Sequence, residues 1–267
     1  MSRRTIALAL AVAVAACSSK KAPDPGPAQR YPIVPNVVLG QLGDVGFVLA
    51  VDLPRLDLAK LDSMIPAELG CIRDQLHAAK VAVVSEGVGD VWEGRITGLT
   101  DAGTRDCIAA TAKAFGVTAQ RETDGTTTLA VPDDPVSLSW HGDEVTIAQK
   151  GQRVRNGPPP GVITDLLASV PKDAKGWIVS AGLPKYKIKS LIAWLDTTAT
   201  TWTFTISVEA IELGAVKPWL ESVIHGFRGA AEAKGVAVDE SWFKLDATPS
   251  AGKLVVTIPI AAFVPTR

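Results

Sequence analysis

Several residue types that carry enzymatic chemistry are present, but their spacing matches no catalytic motif. Ser85 lies in the stretch VVSEG, which lacks the first glycine of the Gly-x-Ser-x-Gly nucleophile motif. His77, His141 and His225 are far apart, and no His-Glu-x-x-His zinc motif or phosphate-binding lysine motif occurs. The sequence therefore predicts no catalytic residue, no metal and no cofactor. An enzyme of hydrolase type, whose residues converge only in the folded chain, stays the alternative.

Cys17 stands at a position where a thiol can be modified covalently. Arg3 and Arg4 precede an apolar run from Thr5 to Ala16. This run is shorter than the roughly 20 residues that a membrane-spanning helix needs, and it has the length of the apolar region of a secretory signal. Small residues fill the two positions before Cys17, in Val14-Ala15-Ala16.

This motif resembles the lipobox of bacterial lipoproteins. The resemblance implies that the Cys17 thiol carries diacylglycerol, that the signal peptide 1–16 is removed, and that the new amine is acylated. Two or more acyl chains anchor a protein stably in a bilayer. Ser18 follows the cysteine in place of the aspartate that retains lipoproteins at the inner membrane, so we expect the outer membrane of a Gram-negative-type envelope, facing the periplasm. An ordinary secretory signal beside a spare cysteine is the alternative.

The stretch 17–36 predicts a tether. It contains five prolines and shows no apolar periodicity. Proline at this density favours extended polyproline II at about 3.1 Å per residue, so twenty residues reach up to roughly 60 Å. We therefore expect a folded body that stands away from the lipid surface.

Composition restricts the partners of this body. The chain has 267 residues, a net charge of −1 and no long basic cluster, so it lacks the electrostatic footprint of a nucleic-acid-binding protein. Hydrophobic residues make up 47% of the chain, which is enough for a globular core.

Cys71 and Cys107 remain once Cys17 is lipidated. Export places them in an oxidising compartment, where a pair of cysteines most simply forms a disulfide. A metal site formed by Cys71 and His77 stays open, although no further ligand cluster accompanies them.

Two stretches of the chain recur in the same order and indicate an internal duplication. Val45 to Leu61 matches Lys175 to Leu191 at an offset of 130, including a shared Leu-Pro step. Ala112 to Ala119 matches Ala231 to Val238 at an offset of 119. We therefore predict repeat 1 over 37–152, a linker over 153–161 and repeat 2 over 162–267.

Each copy predicts a β-α-β-β-α-β order with an extra strand, as in a tandem ferredoxin-like α+β fold with antiparallel sheets. In copy one, helices carry Leu69, Ile72, Leu76 and Ala79, and then Ile108, Ala112 and Phe115 up to Gly116. Hairpin turns are expected at Asp124-Gly125 and Gly142-Asp143. Such a layer makes the helices of Cys71 and Cys107 neighbours, which supports the disulfide.

Copy two predicts a strand at GWIVSAGL, a shorter helical segment, and a half-buried strand at TWTFTISVEA. Its second helix carries Leu220, Ile224, Phe227 and Ala231, and a closing hairpin places Pro259 on an edge strand. This duplicated layout resembles uncharacterised periplasmic lipoproteins of Gram-negative bacteria, a resemblance that implies no activity.

The candidate binding surface comes from aromatic and basic residues of copy two. Trp177 and Trp202 fit core patterns, whereas Trp219, beside Pro218 at a helix start, is expected to be exposed. Lys185 and Lys187, with Lys189 nearby, can meet an anionic glycan or lipid headgroup, or simply form a solvated face. We therefore expect a non-catalytic envelope binding module for an unknown envelope protein or glycan.

Overall fold

The computed structural model describes residues 42–56, 70–87, 92–99, 101–114, 116–123, 125–130, 135–151, 157–233 and 235–263. The predicted signal peptide, Cys17 and the tether lie outside these residues. The chain divides into two compact units. Unit 1 comprises residues up to Val45 and from Ala50 to Pro158, and unit 2 comprises Gly46–Leu49 and the chain from Pro159. The division at Pro158 lies inside the stretch 153–161 that was predicted as a linker.

In its described residues, unit 1 contains antiparallel hairpins and two helices. Its strands follow the order β1-β2-β3-β7-β6-β5-β4. A 3-10 helix, Leu53–Arg55, follows β1. The bounds are β1 Val45–Asp52, α1 Gly70–Ala78, β2 Val81–Gly87, β3 Trp92–Thr97, α2 Asp101–Ala114, β4 Thr118–Arg121, β5 Thr127–Ala130, β6 Val136–His141 and β7 Glu144–Gln149.

The core of unit 1 lies between its two helices and one face of its strands. Cys107 and Ala112 of α2 are buried against Ile96, Leu138 and Val145 of the strands. Cys71 of α1 packs against the same cluster. Both helices therefore lie on one face of the strands.

Unit 2 is a second antiparallel arrangement, with the strand order β8-β9-β10-β12-β11. A 3-10 helix, Pro184–Tyr186, follows β8, and another, Glu240–Trp242, precedes β11. The bounds are α3 Gly161–Ala168, β8 Gly176–Ser180, β9 Ile188–Thr197, β10 Thr201–Ala210, α4 Val216–Glu232, β11 Phe243–Ala247 and β12 Ala251–Pro259.

The core of unit 2 lies under α4. Val216 and Leu220 are fully buried against Ile206, Leu254 and Val256 of the strands. Pro218 stands in the first turn of α4, where a proline is well tolerated. The spacing that predicted this helix therefore corresponds to the face that it buries.

The predicted fold class is confirmed at the level of α+β with antiparallel strands, whereas the strand order is not ferredoxin-like. In a ferredoxin-like layer, the two strands of each β-α-β unit are not adjacent, because another strand lies between them. In unit 1, β2 lies directly beside β1, and β3 lies between β2 and β7. The described residues of unit 1 form seven strands, two more than the five of the predicted order with its extra strand, because β4 to β7 form successive hairpins.

Three further features of unit 2 differ from expectation. The helical segment predicted after Leu183-Pro184 is a single 3-10 turn that leads directly into β9. Pro259 ends β12, which lies between β10 and β11 and is not an edge strand. Proline is tolerated there because β11 pairs with β12 only as far as Val256. Helix α3 was not predicted, although the apolar residues in and just after it have helical spacing, namely Ile163, Leu166, Leu167 and Val170.

The two units share an order of elements. In each, a strand and a 3-10 helix at a Leu-Pro step precede a hairpin, a long helix and a second hairpin. The second strand of the first hairpin pairs with the last strand, β3 with β7 and β10 with β12. Unit 1 differs by the insertion of α1 and of the β4–β5 hairpin.

The ends of α2 and α4 are also alike. Gly116 and Gly235, which match at the offset of 119, have φ of +70° and +71°. The following Val117 N–H donates to Ala112 O at 2.8 Å, and Val236 N–H donates to Ala231 O at 3.0 Å. Glycine adopts this left-handed conformation without a steric penalty, so both helices end in the same glycine cap.

Candidate functional site

Three connecting segments of unit 2 are joined by backbone hydrogen bonds at one end of its strands. Ile211 N–H donates to Lys187 O at 2.7 Å, and Gly214 N–H donates to Pro249 O at 2.7 Å. Ala210 N–H donates to the oxygen of Ser250 at 2.9 Å. We call residues 184–187, 211–215 and 248–250 the loop end of unit 2.

The two predicted lysines lie in this loop end. Pro184 begins the 3-10 helix, and Lys187 ends it in the left-handed conformation, with φ of 58°. Lys187 N–H donates to Pro184 O at 3.0 Å, and the next residue, Ile188, is fully buried. The tight turn therefore holds Lys185 and Lys187 in solvent, where the structure shows both to be exposed.

Large apolar side chains are exposed in the same place. Leu213 is 76% exposed, Ile211 63% and Tyr186 48%. Over the part of the chain that the structure describes, the other large apolar residue with such exposure is Val162, at 49%. A single exposed apolar residue is ordinary, but a cluster marks an interaction site more often than chance.

The lysines near the loop end form weak ion pairs. Lys187 Nζ lies 3.6 Å from Glu212 Oε2, and Lys189 Nζ lies 3.1 Å from Glu209 Oε2. All four side chains are more than half exposed, so each pair contributes at most about 1 kcal/mol. Lys185 Nζ lies 5.6 Å from the centre of the Tyr186 ring. A partner can therefore recruit these ammonium groups at small cost.

Trp219 does not share this exposure, so that prediction is wrong. It is half-buried and packs against the core of unit 2. The physical reason is helical spacing, because Trp219 lies one turn from Val216 and beside Leu220, both fully buried. Trp177 is buried, as predicted, and Trp202 is partly buried.

A shallow cleft of about 470 Å³ lies within unit 2 near its loop end. Its lining includes the hydroxyl-bearing Ser169, Ser190 and Ser207, with Asp246 and Lys253. Hydroxyl, carboxylate and ammonium groups can form hydrogen bonds with a polar ligand. The sequence reasoning missed this cleft because its residues come from α3 and four different strands.

A buried charged group in unit 1 was also missed. Arg95 Nε donates to Glu93 Oε1 at 2.7 Å, and Arg95 Nη1 lies 3.4 Å from Glu144 Oε1. The side chains of Arg95 and Glu93 are only 5% and 4% exposed. Alternation in the stretch WEGRIT would place Glu93 and Arg95 in solvent, on the face opposite Ile96.

Cys71 and Cys107 form a disulfide between α1 and α2, as predicted, with their α-carbons 5.5 Å apart. The metal site considered for Cys71 and His77 is therefore wrong in this structure. Within the described residues, no group of three or more histidine, cysteine or acidic side chains can hold a metal ion. No helix in those ranges is long and apolar enough to cross a bilayer.

No protein-family model and no curated protein matches this chain. Solved structures of TP0453 are similar to it. Crystal form III matches 83% of this chain and 94% of that chain, at 10% identity and a TM-score of 0.49. Crystal form I matches 86% of this chain and 94% of that chain, at 11% identity and a TM-score of 0.45. Crystal form IV matches 85% of this chain and 94% of that chain, at 9% identity and a TM-score of 0.46. These scores are too low to assign a fold or a function from TP0453.

Proposed function

We propose that this protein is a lipid-anchored, non-catalytic interaction module of the bacterial cell envelope. The observation that supports it is the loop end of unit 2, where Tyr186, Ile211 and Leu213 are exposed beside Lys185 and Lys187. Backbone hydrogen bonds hold these segments in place, so a partner does not have to order them.

The anchor in this proposal rests on the sequence around Cys17. Its apolar run and the small residues before the cysteine favour lipidation, and the proline-rich tether favours a body held away from the bilayer. The outer membrane, with the body in the periplasm, is the location that Ser18 favours.

We also propose that the body arose by duplication. The shared element order, the matching 3-10 helices and the equivalent glycine caps of α2 and α4 support it. In place of a ferredoxin-like layer, the ancestral repeat that these features favour is a strand, a hairpin, a helix and a second hairpin.

The anchor is tested by replacing Cys17 with alanine. Cells fed radioactive palmitate should label the parent protein and should not label Cys17→Ala, because the variant has no thiol to alkylate. As a control, the chain from Ser18 exported by an ordinary cleavable signal should fractionate as soluble periplasmic protein. Equal palmitate incorporation in Cys17→Ala would contradict the anchor.

The surface is tested by photo-crosslinking in intact envelopes. A benzophenone amino acid at Leu213 should give crosslinked products, because this side chain is the most exposed apolar group of the loop end. The matched control is the same probe at Val162, an exposed apolar position outside the loop end. Equal product yields at the two positions would remove the loop end as the interaction surface.

A further inference from the structure

We propose that the loop end of unit 2 docks on an anionic lipid bilayer, with Ile211 and Leu213 inserted among the headgroups. This inference deepens the proposed function and rests on it for the lipid anchor. Four features point to a bilayer as the binding partner: the residue types of the loop end, its geometry, its charge and the tether.

The residue types are those of an interfacial segment. Leucine and isoleucine contribute apolar area, a tyrosine places its ring at headgroup level, and lysines keep their ammonium groups in water while their stems lie along apolar surface. Ile211, Leu213 and Tyr186 supply the apolar part, and Lys185 and Lys187 supply the charge.

The geometry favours a bilayer over a protein partner. Ile211 and Leu213 come from the β10–α4 connection, and Tyr186 comes from the β8–β9 connection. Their side chains are exposed on two segments, which the hydrogen bond from Ile211 N–H to Lys187 O joins. A protein partner needs matching pockets for such projections, whereas a fluid bilayer accommodates them without shape complementarity.

The loop end contains the two lysines and one glutamate, so it carries a small net positive charge. Glu209 and Glu212 face Lys189 and Lys187, but these pairs are solvent-exposed and are screened by salt. Lys185 contacts the Tyr186 ring. Phosphate groups of anionic lipids can therefore bind the lysines, and this attraction falls with ionic strength.

The tether makes a weak contact sufficient. A lipidated Cys17 and the twenty-residue tether would confine the body within roughly 60 Å of the bilayer. Confinement raises the effective concentration of the lipid surface, so a modest intrinsic affinity keeps the loop end bound for much of the time.

The test uses the chain from residue 17 with Cys17→Ser, which has neither signal peptide nor lipid. This chain should sediment with vesicles of phosphatidylcholine mixed with phosphatidylglycerol, and less with phosphatidylcholine alone. The double variant Ile211→Ser and Leu213→Ser should lower the partition coefficient by about tenfold or more, because two apolar side chains no longer leave water. Val162→Ser, of comparable exposure, should bind as the parent does.

The charge is tested separately. Lys185→Gln with Lys187→Gln should weaken binding only to the vesicles that contain phosphatidylglycerol, and added salt should abolish the difference. Lys172→Gln, at an exposed lysine outside the loop end, is the control.

Insertion itself has a direct readout. In this chain Cys71 and Cys107 are joined, so Leu213→Cys supplies a free thiol for an environment-sensitive dye. Its emission should shift to the blue when vesicles are added, whereas the dye on Val162→Cys should not respond.

Absence of vesicle binding by the parent chain, or equal binding by the Ile211→Ser and Leu213→Ser variant, would overturn the proposal. So would a dye at Leu213 that does not respond while a crosslinker there captures a protein, since the partner would then be that protein. Because this chain has no lipid, these results are independent of the palmitate experiment, and either proposal can fail alone.

Discussion

Arg95 carries a charge into the interior of unit 1. Its guanidinium lies between Glu93 and Glu144, and Ser85 and Thr146 are buried on the same face. The guanidinium donates to Glu93 and lies 3.4 Å from Glu144, so its buried charge has carboxylate partners. The stability of unit 1 therefore depends on the presence of Arg95 together with its carboxylate partners Glu93 and Glu144.

Arg95→Met should destabilise the protein by about 3–5 kcal/mol, because Glu93 would remain buried without its cation. Lys80→Met is the matched control, since Lys80 and Asp143 form an exposed pair whose loss should cost at most about 1 kcal/mol. Urea unfolding measures both changes. Adding Glu93→Leu to Arg95→Met should recover part of the loss, and equal effects of Arg95→Met and Lys80→Met would contradict this account.

Asp239 links stability to pH through a helix cap. The Ser241 backbone N–H donates to its carboxylate at 2.8 Å, and this bond, with the Ser241 side chain, lowers the pKa of Asp239 below its ordinary value of 3.8. A lowered pKa in the folded state means that the stabilisation is complete above 3.8 and is lost as the pH falls through the folded pKa.

We therefore expect Asp239→Ala to be less stable than the parent near neutral pH and nearly equal to it in strong acid. Asp239→Asn, which keeps an acceptor oxygen without the charge, should lack this pH dependence. Thermal unfolding across the acid range measures all three chains. A difference between parent and Asp239→Ala that stays constant with pH would contradict the prediction.

At the scale of elements, α4 packs closely against β12 at Gly252. A methyl group there would overlap Val216 Cγ1 and lie 2.8 Å from Leu220 Cδ1. Gly252→Ala should therefore destabilise the protein by about 1–3 kcal/mol, as overpacking of a core does.

The control variant changes a glycine of α4, the helix that packs against Gly252. Gly226 has open space around its Cβ position, so Gly226→Ala should stabilise the protein by about 0.5–1 kcal/mol through helix propensity. Urea unfolding of the two variants should give changes of opposite sign. A stabilising Gly252→Ala would contradict the close packing of α4 against β12.

The segment after Leu183-Pro184 shows why a sequence repeat can predict the wrong secondary structure. Its counterpart in copy one precedes a helix, which predicted a helix here as well. Instead, Ile188–Thr197 pairs along most of its length with β10 and also with β8. Pairing on both sides outweighs local preference, because strand stability depends mainly on neighbouring strands.

At the scale of the whole molecule, the Cys71–Cys107 disulfide makes the stability of the protein depend on the redox state of its surroundings. The bond joins residues 36 apart, and closing a loop of that length stabilises by about 4 kcal/mol in the chain-entropy model. The chain from Cys17, purified from a reducing cytosol, should therefore unfold at a lower urea concentration than the same chain with the disulfide formed.

Cys71→Ala with Cys107→Ala should reproduce the loss in the exported protein and make its unfolding insensitive to reductant. Urea midpoints with and without dithiothreitol measure this. A parent protein whose midpoint does not change on full reduction would contradict the expected contribution.

The sequence alone was sufficient for features that depend on short-range patterns. The spacing of Leu220, Ile224, Phe227 and Ala231 predicted α4, and Gly142-Asp143 predicted the β6–β7 turn, because helix faces and tight turns are set within a few residues. The proposed lipidation of Cys17 likewise depends only on local residues. The disulfide was predicted from export and from helix placement.

Only the tertiary structure decided which strands are neighbours and which polar groups are buried. The burial of Glu93 and Arg95 and the interior position of β12 depend on contacts between residues distant in sequence. The same holds for the loop end, because Lys187 meets Ile211 and Gly214 meets Pro249 only after β8 to β12 have paired. Local patterns determine how a segment can fold, whereas long-range pairing determines which side chains remain exposed to solvent for a partner.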